Sequence, residues 1–213
     1  MTEPDVILTD YALMLLCSAF ICNLAKRNFK TPALENLWLV FFGSIAVASL
    51  TGGTVHGFFL EESSFGFRVL WPITLLAIGI TASSAWILTG LFAFGQRALT
   101  SSILFSIIIF LIYSSIVLSF SQSFAVAIFN YLPPMILLLI AAAKEYHRTR
   151  ARSFVWIIVG IGISFIAAYF QQAHLAIHPQ YFNHNSTYHL LQAFGLSALF
   201  YGAKGLESME WTI

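Results

Sequence analysis

The sequence predicts an all-α fold: a polytopic membrane helix bundle of seven transmembrane helices, one domain over residues 1–213. Three observations lead there. Only 9% of the residues are charged and 59% are hydrophobic, whereas a soluble domain carries about 25% charged residues. The apolar residues come in blocks long enough for the roughly 20-residue helix that crosses a bilayer. Within those blocks polar and apolar residues do not alternate as they would in a barrel strand, and lipid offers an unpaired backbone no partner, so each block is read as a helix.

The blocks run over 7–25, 36–60, 68–94, 99–120, 123–143, 153–174 and 186–205. The stretch before the first has acids where a secretory signal would have bases, so that block is expected to be a retained span. Lys26, Arg27 and the Thr31-Pro32 pair close the first joint, and Glu61 to Ser64 the second. Gly95-Gln96-Arg97 marks the third joint. The fourth, Ser119 to Ser123, has only Ser and Gln as polar residues between two apolar runs; read as a kink, it would leave six spans. Pro133-Pro134 predicts a kink within the fifth block. Lys144 to Arg152 forms the fifth joint and His178 to Asn185 the last. Cys17 and Cys22 sit five apart in one block, on different sides of a helix, which disfavours a disulfide.

With seven spans, Lys26, Arg27, Lys30, Arg97, Lys144, Arg148, Arg150, Arg152 and Lys204 fall on one side and only Arg68 on the other. The positive-inside rule then sets the N-terminus outside and the C-terminus in the cytoplasm of a bacterial inner membrane or a eukaryotic membrane. The bilayer is the expected partner. A net charge of +1 gives no reason to expect nucleic acid, and nothing in the sequence specifies an oligomeric state.

Polar residues inside spans are costly, so their positions carry the functional expectation. Asp10, His56, Asn130, Gln171, Gln172, His174, His184, Asn185, His189 and Gln192 all fall in the outer half; of six histidines only His147 is cytoplasmic. Ser49, Gly53 and His56 share one helix face at i, i+4, i+7, as do Asn185, His189 and Gln192. Gly52 and Gly53 allow close helix approach. Three neutral imidazoles with an open fourth position make a catalytic zinc site, whose bound water ionises near neutral pH. The expected ligands are His56, His184 and His189, with Asp10 as base or orienting group and His174 or His178 as substitutes for His184. Asn130, Gln172, Asn185 and Gln192 are expected to contact substrate or support the ligands. The bland alternatives are an interfacial role for the loop histidines and interhelical hydrogen bonding for Asn130 and Gln192. Lys204 lies too near the cytoplasmic end, with no acid in the third span, to suggest a retinal site.

Gly53-Thr54-Val55-His56-Gly57 and His184-Asn185-Ser186-Thr187-Tyr188-His189 give the chain a partial resemblance to the CREST superfamily of alkaline ceramidases, progestin/adipoQ receptors and haemolysin III-like proteins. The resemblance implies seven spans, zinc held by three histidines with a nearby serine and aspartate, and hydrolysis of a lipid amide or ester near the outer leaflet. The superfamily's serine position is Gly52 here, and the nearest serine on that face is Ser49; its third-span acid has no clear counterpart, so Ser49 and, from elsewhere in the fold, Asp10 are the expected catalytic residues. In that superfamily the last two histidines are four apart; here they are five apart, with Asn185 four before His189. Two rival expectations stand beside it. One is a non-enzymatic receptor or small-solute transporter using the same polar cluster. The other is a haem or copper protein with His56 and His189 as axial ligands.

Overall fold

The computed structural model describes residues 2–178 and 181–209. They form seven α-helices: α1 (Pro4–Leu24), α2 (Pro32–Phe58), α3 (Phe65–Phe94), α4 (Leu99–Ser119), α5 (Phe124–Thr149), α6 (Arg152–Gln172) and α7 (His184–Gly205), with a short 3₁₀ turn over Gln96–Ala98. The ends have local causes. Pro4 and Pro32 open α1 and α2, where a missing N–H costs nothing and φ is already helical. This starts both helices three or four residues before their apolar blocks. Ser64, Ser123 and Asn183 cap α3, α5 and α7 by accepting from the first-turn amides. Gly95 ends α3 at φ 73°, a backbone region that glycine enters without strain.

The Ser119–Ser123 joint is the expected turn and not the alternative kink: Ser123 caps a new helix, and the Trp71 Nε1 donates to the Gln122 carbonyl at 2.8 Å. One expectation about the joints needs correction. The polar stretch from Lys144 is mostly helix; α5 runs to Thr149, carried past its apolar block by the Arg148–Glu145 ion pair at 2.7 Å, so the joint shrinks to Arg150 and Ala151. The helix also continues through Pro133 and Pro134.

Six helices, α1 to α6, are long and apolar enough to cross a membrane, and the chain is an integral membrane protein on that ground. The expected seventh span, α7, lacks that composition.

The packing is a ring. Neighbours touch in the order α1, α2, α3, α5, α6, α7 and back to α1, while α4 lies outside against α3. Few residues of α4 are buried. The ring is filled differently in its two halves. Toward the C-terminal ends of α1, α3, α5 and α7 it is packed with Phe20, Trp38, Phe41, Phe42, Phe92, Phe154 and the leucines and isoleucines around them. Toward their N-terminal ends it holds a cavity.

Glycines set the closest approaches. A Cβ on Gly53 would lie 2.7 Å from the Asp10 Cβ on α1, and one on Gly52 would lie 3.3 Å from Thr74 Cγ2 on α3. Adjacent residues point about 100° apart on a helix, so this pair serves one neighbour each. Gly53 therefore packs against α1. The face of α2 that reaches the cavity is Ile45, Ser49, Gly52 and His56.

Candidate functional site

The cavity measures about 390 Å³, within the usual range for a small-molecule pocket. Every ring helix contributes to its wall, and α4 does not. α1 supplies Asp10 and Leu13; α2 the four residues just named with Ala48; α3 Trp71, Thr74, Ile78 and Thr81. α5 supplies Phe124, Ala127, Ile128, Tyr131 and Leu132; α6 Ser164, Phe165, Ala168, Gln171 and Gln172; α7 Asn185, Tyr188, His189 and Gln192. In each of these helices the lining residues recur at three- and four-residue steps, one face turned inward.

The cavity is one-sided. Its deepest residue on each helix lies eleven or more residues from the far end of that helix, about 17 Å of rise. The aromatic-rich core fills that interval.

His189 is the best-anchored polar group. Its Nδ1 lies 3.0 Å from Thr9 Oγ1 and its Nε2 3.3 Å from Asp10 Oδ1. Both Asp10 and His189 are buried. Thr9 Oγ1 is also 2.9 Å from the Asp5 carbonyl and 3.0 Å from the Val6 carbonyl. Its single proton can serve only one of these three acceptors. If it goes to the backbone, the His189 Nδ1–H donates to Thr9; if it goes to Nδ1, Thr9 donates to the ring. In both cases an imidazole and a carboxyl stand side by side at the cavity wall.

His56 also lines the cavity, but its Nδ1 is paired with Glu3 Oε2 at 2.5 Å and its ring stands edge-on to Trp71. His184 is the first residue of α7, on the rim, with its ring centroid 4.4 Å from that of His174, and it does not line the cavity. Partial burial, then the neighbouring His174, lower its pKa from the ordinary histidine value, with Glu3 opposing. His178 lies against Tyr181 in the α6–α7 connection, the ring centroids 4.9 Å apart and the rings tilted.

The expected zinc ligands are thus distributed: two on the cavity wall, each engaged with a carboxylate, and one on the rim. Among the described residues no group of three or more His, Cys, Asp or Glu side chains is placed to hold a metal ion. This donor set does not fit the zinc centre.

The other expected residues divide in the same way. Asp10, Ser49, Gln172, Asn185 and Gln192 line the cavity with His56 and His189; Asn130 is half-buried on α5 outside the lining. Gln192 Nε2 donates to Ser164 Oγ at 3.2 Å, and Gln171 Nε2 to Asn185 Oδ1 at 3.1 Å. Ser49, Tyr131 and Tyr188 line the cavity with no side-chain hydrogen bond among the described residues. Sequence reading missed Thr9, Trp71, Tyr131, Ser164 and Tyr188. Ser164, Ala168 and Gln171 form an i, i+4, i+7 stripe on α6 that would have found Ser164. Thr9 stands beside Asp10 on α1, and that adjacency was the signal that could have found it.

Fold and site together define an integral membrane helix bundle with a closed-bottomed cavity whose wall is mostly apolar and whose polar groups come from several helices. The chain belongs to DUF6962, a family of unknown function whose sequence profile matches residues 6–208. No curated protein and no solved structure matches it.

Proposed function

We propose that the protein binds a membrane-soluble amphiphile in this cavity, as a receptor-type binding protein, with the apolar body among Leu13, Ile45, Ile78 and Phe165 and the polar end at Asp10, His189 and Gln192. The observation that carries the reading is the lining itself. Apolar side chains make up most of the wall's surface. The Ser49, Tyr131 and Tyr188 hydroxyls face the cavity without a side-chain partner among the described residues, free to bond a ligand's polar end at about 0.5–1.5 kcal/mol each.

The chemistry of the head follows from charge. Asp10 is the one acidic side chain in the wall among the described residues, and no Lys or Arg lines it. An anionic head would be buried at low dielectric with no fixed cation to compensate it, so the site selects an uncharged or cationic head. The core-filled far half favours binding over transport, which needs a path to both faces.

The same reading takes α7 as a seventh span. Gly160, Gly195, Gly202 and Ser153 bring α6 and α7 into contact from the middle of both helices to the cytoplasmic end, so α7 lies at the depth of α6. Its low apolar content reflects polar residues turned to the cavity instead of lipid. Seven spans with the basic residues inside put the N-terminus and the cavity mouth on the outer side.

Trp71 on the wall reports occupancy. In vesicles, a single-chain amine or alcohol with a brominated tail is expected to quench a fluorescence component absent from Trp71→Phe, and the matching carboxylate to do so at least about tenfold more weakly. Preference for the carboxylate contradicts the proposal. One zinc per chain, lost in both His56→Ala and His189→Ala, would return the hydrolase reading.

A further inference from the structure

Five of the six seams of the ring are tied by hydrogen bonds in the cavity half. Tyr11 and Thr54 join α1 to α2 at 2.9 Å; Thr51 and Thr74 join α2 to α3 at 2.8 Å. The Trp71 indole holds α3 to the turn that starts α5. Gln192 and Ser164, with Gln171 and Asn185, join α6 to α7. Thr9 and Asp10 on α1 reach His189, and Asp5 Oδ2 accepts from Ser186 Oγ at 2.7 Å, so α7 is tied to α1.

The α5–α6 seam differs. Among the described residues no side-chain hydrogen bond joins the two helices. In the core half the seam is shut by fully buried Met135, Leu138 and Ala142 against Phe154, Ile157 and Ile161. In the cavity half its lining residues are Ile128, Tyr131 and Leu132 facing Phe165, Ala168 and Gln172. Leu132 lines the cavity while 41% exposed. It lies eight residues below Phe124, about 12 Å into the bundle, where the surroundings are hydrocarbon and not water. Just below it, Pro133 and Pro134 cannot donate to the carbonyls of Phe129 and Asn130, which weakens the α5 backbone at this level.

We infer that the ligand enters sideways from the outer leaflet, through a portal between α5 and α6 bounded by Ile128, Leu132, Phe165 and Ala168. This rests on the amphiphile-binding reading and adds its route. A single-chain amphiphile already oriented in the leaflet slides its tail between two apolar helix faces and brings its head to Asp10 and His189 without leaving the membrane. Every other seam would have to break a hydrogen bond to admit it.

The test is the rate of Trp71 quenching after the brominated single-chain alcohol is mixed into vesicles holding the full chain. Ala168→Phe and, independently, Leu132→Phe narrow the portal; His184→Trp, at a rim residue outside the cavity lining, narrows the aqueous mouth. Both portal variants are expected to slow quenching by about tenfold or more and reach a similar end point, as a narrowed path does, while His184→Trp keeps the original rate. Slowing in His184→Trp with unchanged rates in both portal variants overturns the portal and leaves binding intact. No quenching in the unmodified protein removes the binding reading and the portal with it.

Discussion

Gly160→Val is expected to abolish folded protein. A Cβ at Gly160 would lie 2.7 Å from the Gly195 carbonyl oxygen and 2.8 Å from the Leu199 amide nitrogen. Both are backbone atoms in the middle of α7, so no side chain can swing aside; α6 and α7 must separate. Gly195 faces the same contact from the other side, with Ser164 Oγ 2.8 Å and the Gly160 carbonyl 3.0 Å from its own Cβ position. Close approach of small residues is the chief source of helix association in lipid, and overpacking against immovable atoms costs about 3 kcal/mol or more. Separation would also break the Gln192–Ser164 bond and open the cavity wall. Gly162 is the control: a Cβ there meets nothing within 4 Å, so Gly162→Val should fold normally. Thermal unfolding in detergent, with the monodisperse fraction by size exclusion, checks both. Equal stability of Gly160→Val and the unmodified protein would contradict the packing described for α6 and α7.

Asp10→Leu is the second large effect, and it falls on binding. The substitution keeps the side chain's approximate size but strips His189 Nε2 of its partner and removes the wall's only carboxylate. A buried polar atom left unpaired costs about 1–3 kcal/mol, which corresponds to a tenfold to hundredfold loss where the ligand depends on that pair. Asp10→Asn can still donate to or accept from His189 but carries no charge, so it should bind an uncharged alcohol nearly as before and lose preference for an amine. Titration of Trp71 quenching with the two probes separates the cases. Unchanged amine affinity in Asp10→Leu would show that the head lies elsewhere.

The helices were legible because lipid imposes one requirement, a long apolar run, and α1 to α6 meet it. Their ends were less so. Proline at Pro4 and Pro32 begins a helix before its apolar block, and a charged segment such as Lys144–Thr149 stays helical once an ion pair supports it. α7 differs: Asn185, His189 and Gln192 on its inward face lower its hydropathy, so the helix richest in polar cavity residues lacks the composition of the other six. The convergence of Asp10, Ser49, His56, His189 and Gln192 on one cavity followed from helical spacing and the cost of polar groups in lipid. What spacing could not supply was the partner of each ring. Glu3 lies in the short segment leading into α1, yet it engages Nδ1 of His56. Thr9, one residue from Asp10, takes Nδ1 of His189. These pairings depend on how α1 is rotated between α2 and α7, which no single helix encodes. The connection after α6 and the first residue of α7 bring His174 beside His184 on the rim, a pairing no single helix encodes.

The cavity lies toward the N-terminal end of the first helix and is closed toward the other side. Sided thiol labelling tests it most directly, with Gln172→Cys at the mouth and Ser49→Cys on the wall, each in a background where Cys17 and Cys22 are alanine. A membrane-impermeant thiol reagent should modify Gln172→Cys only from the side of the N-terminus, and a bound amine amphiphile should protect Ser49→Cys from a permeant reagent. Modification of Ser49→Cys by the impermeant reagent applied from the opposite, basic side would contradict it, because the aromatic-filled half of the ring would then have to be open.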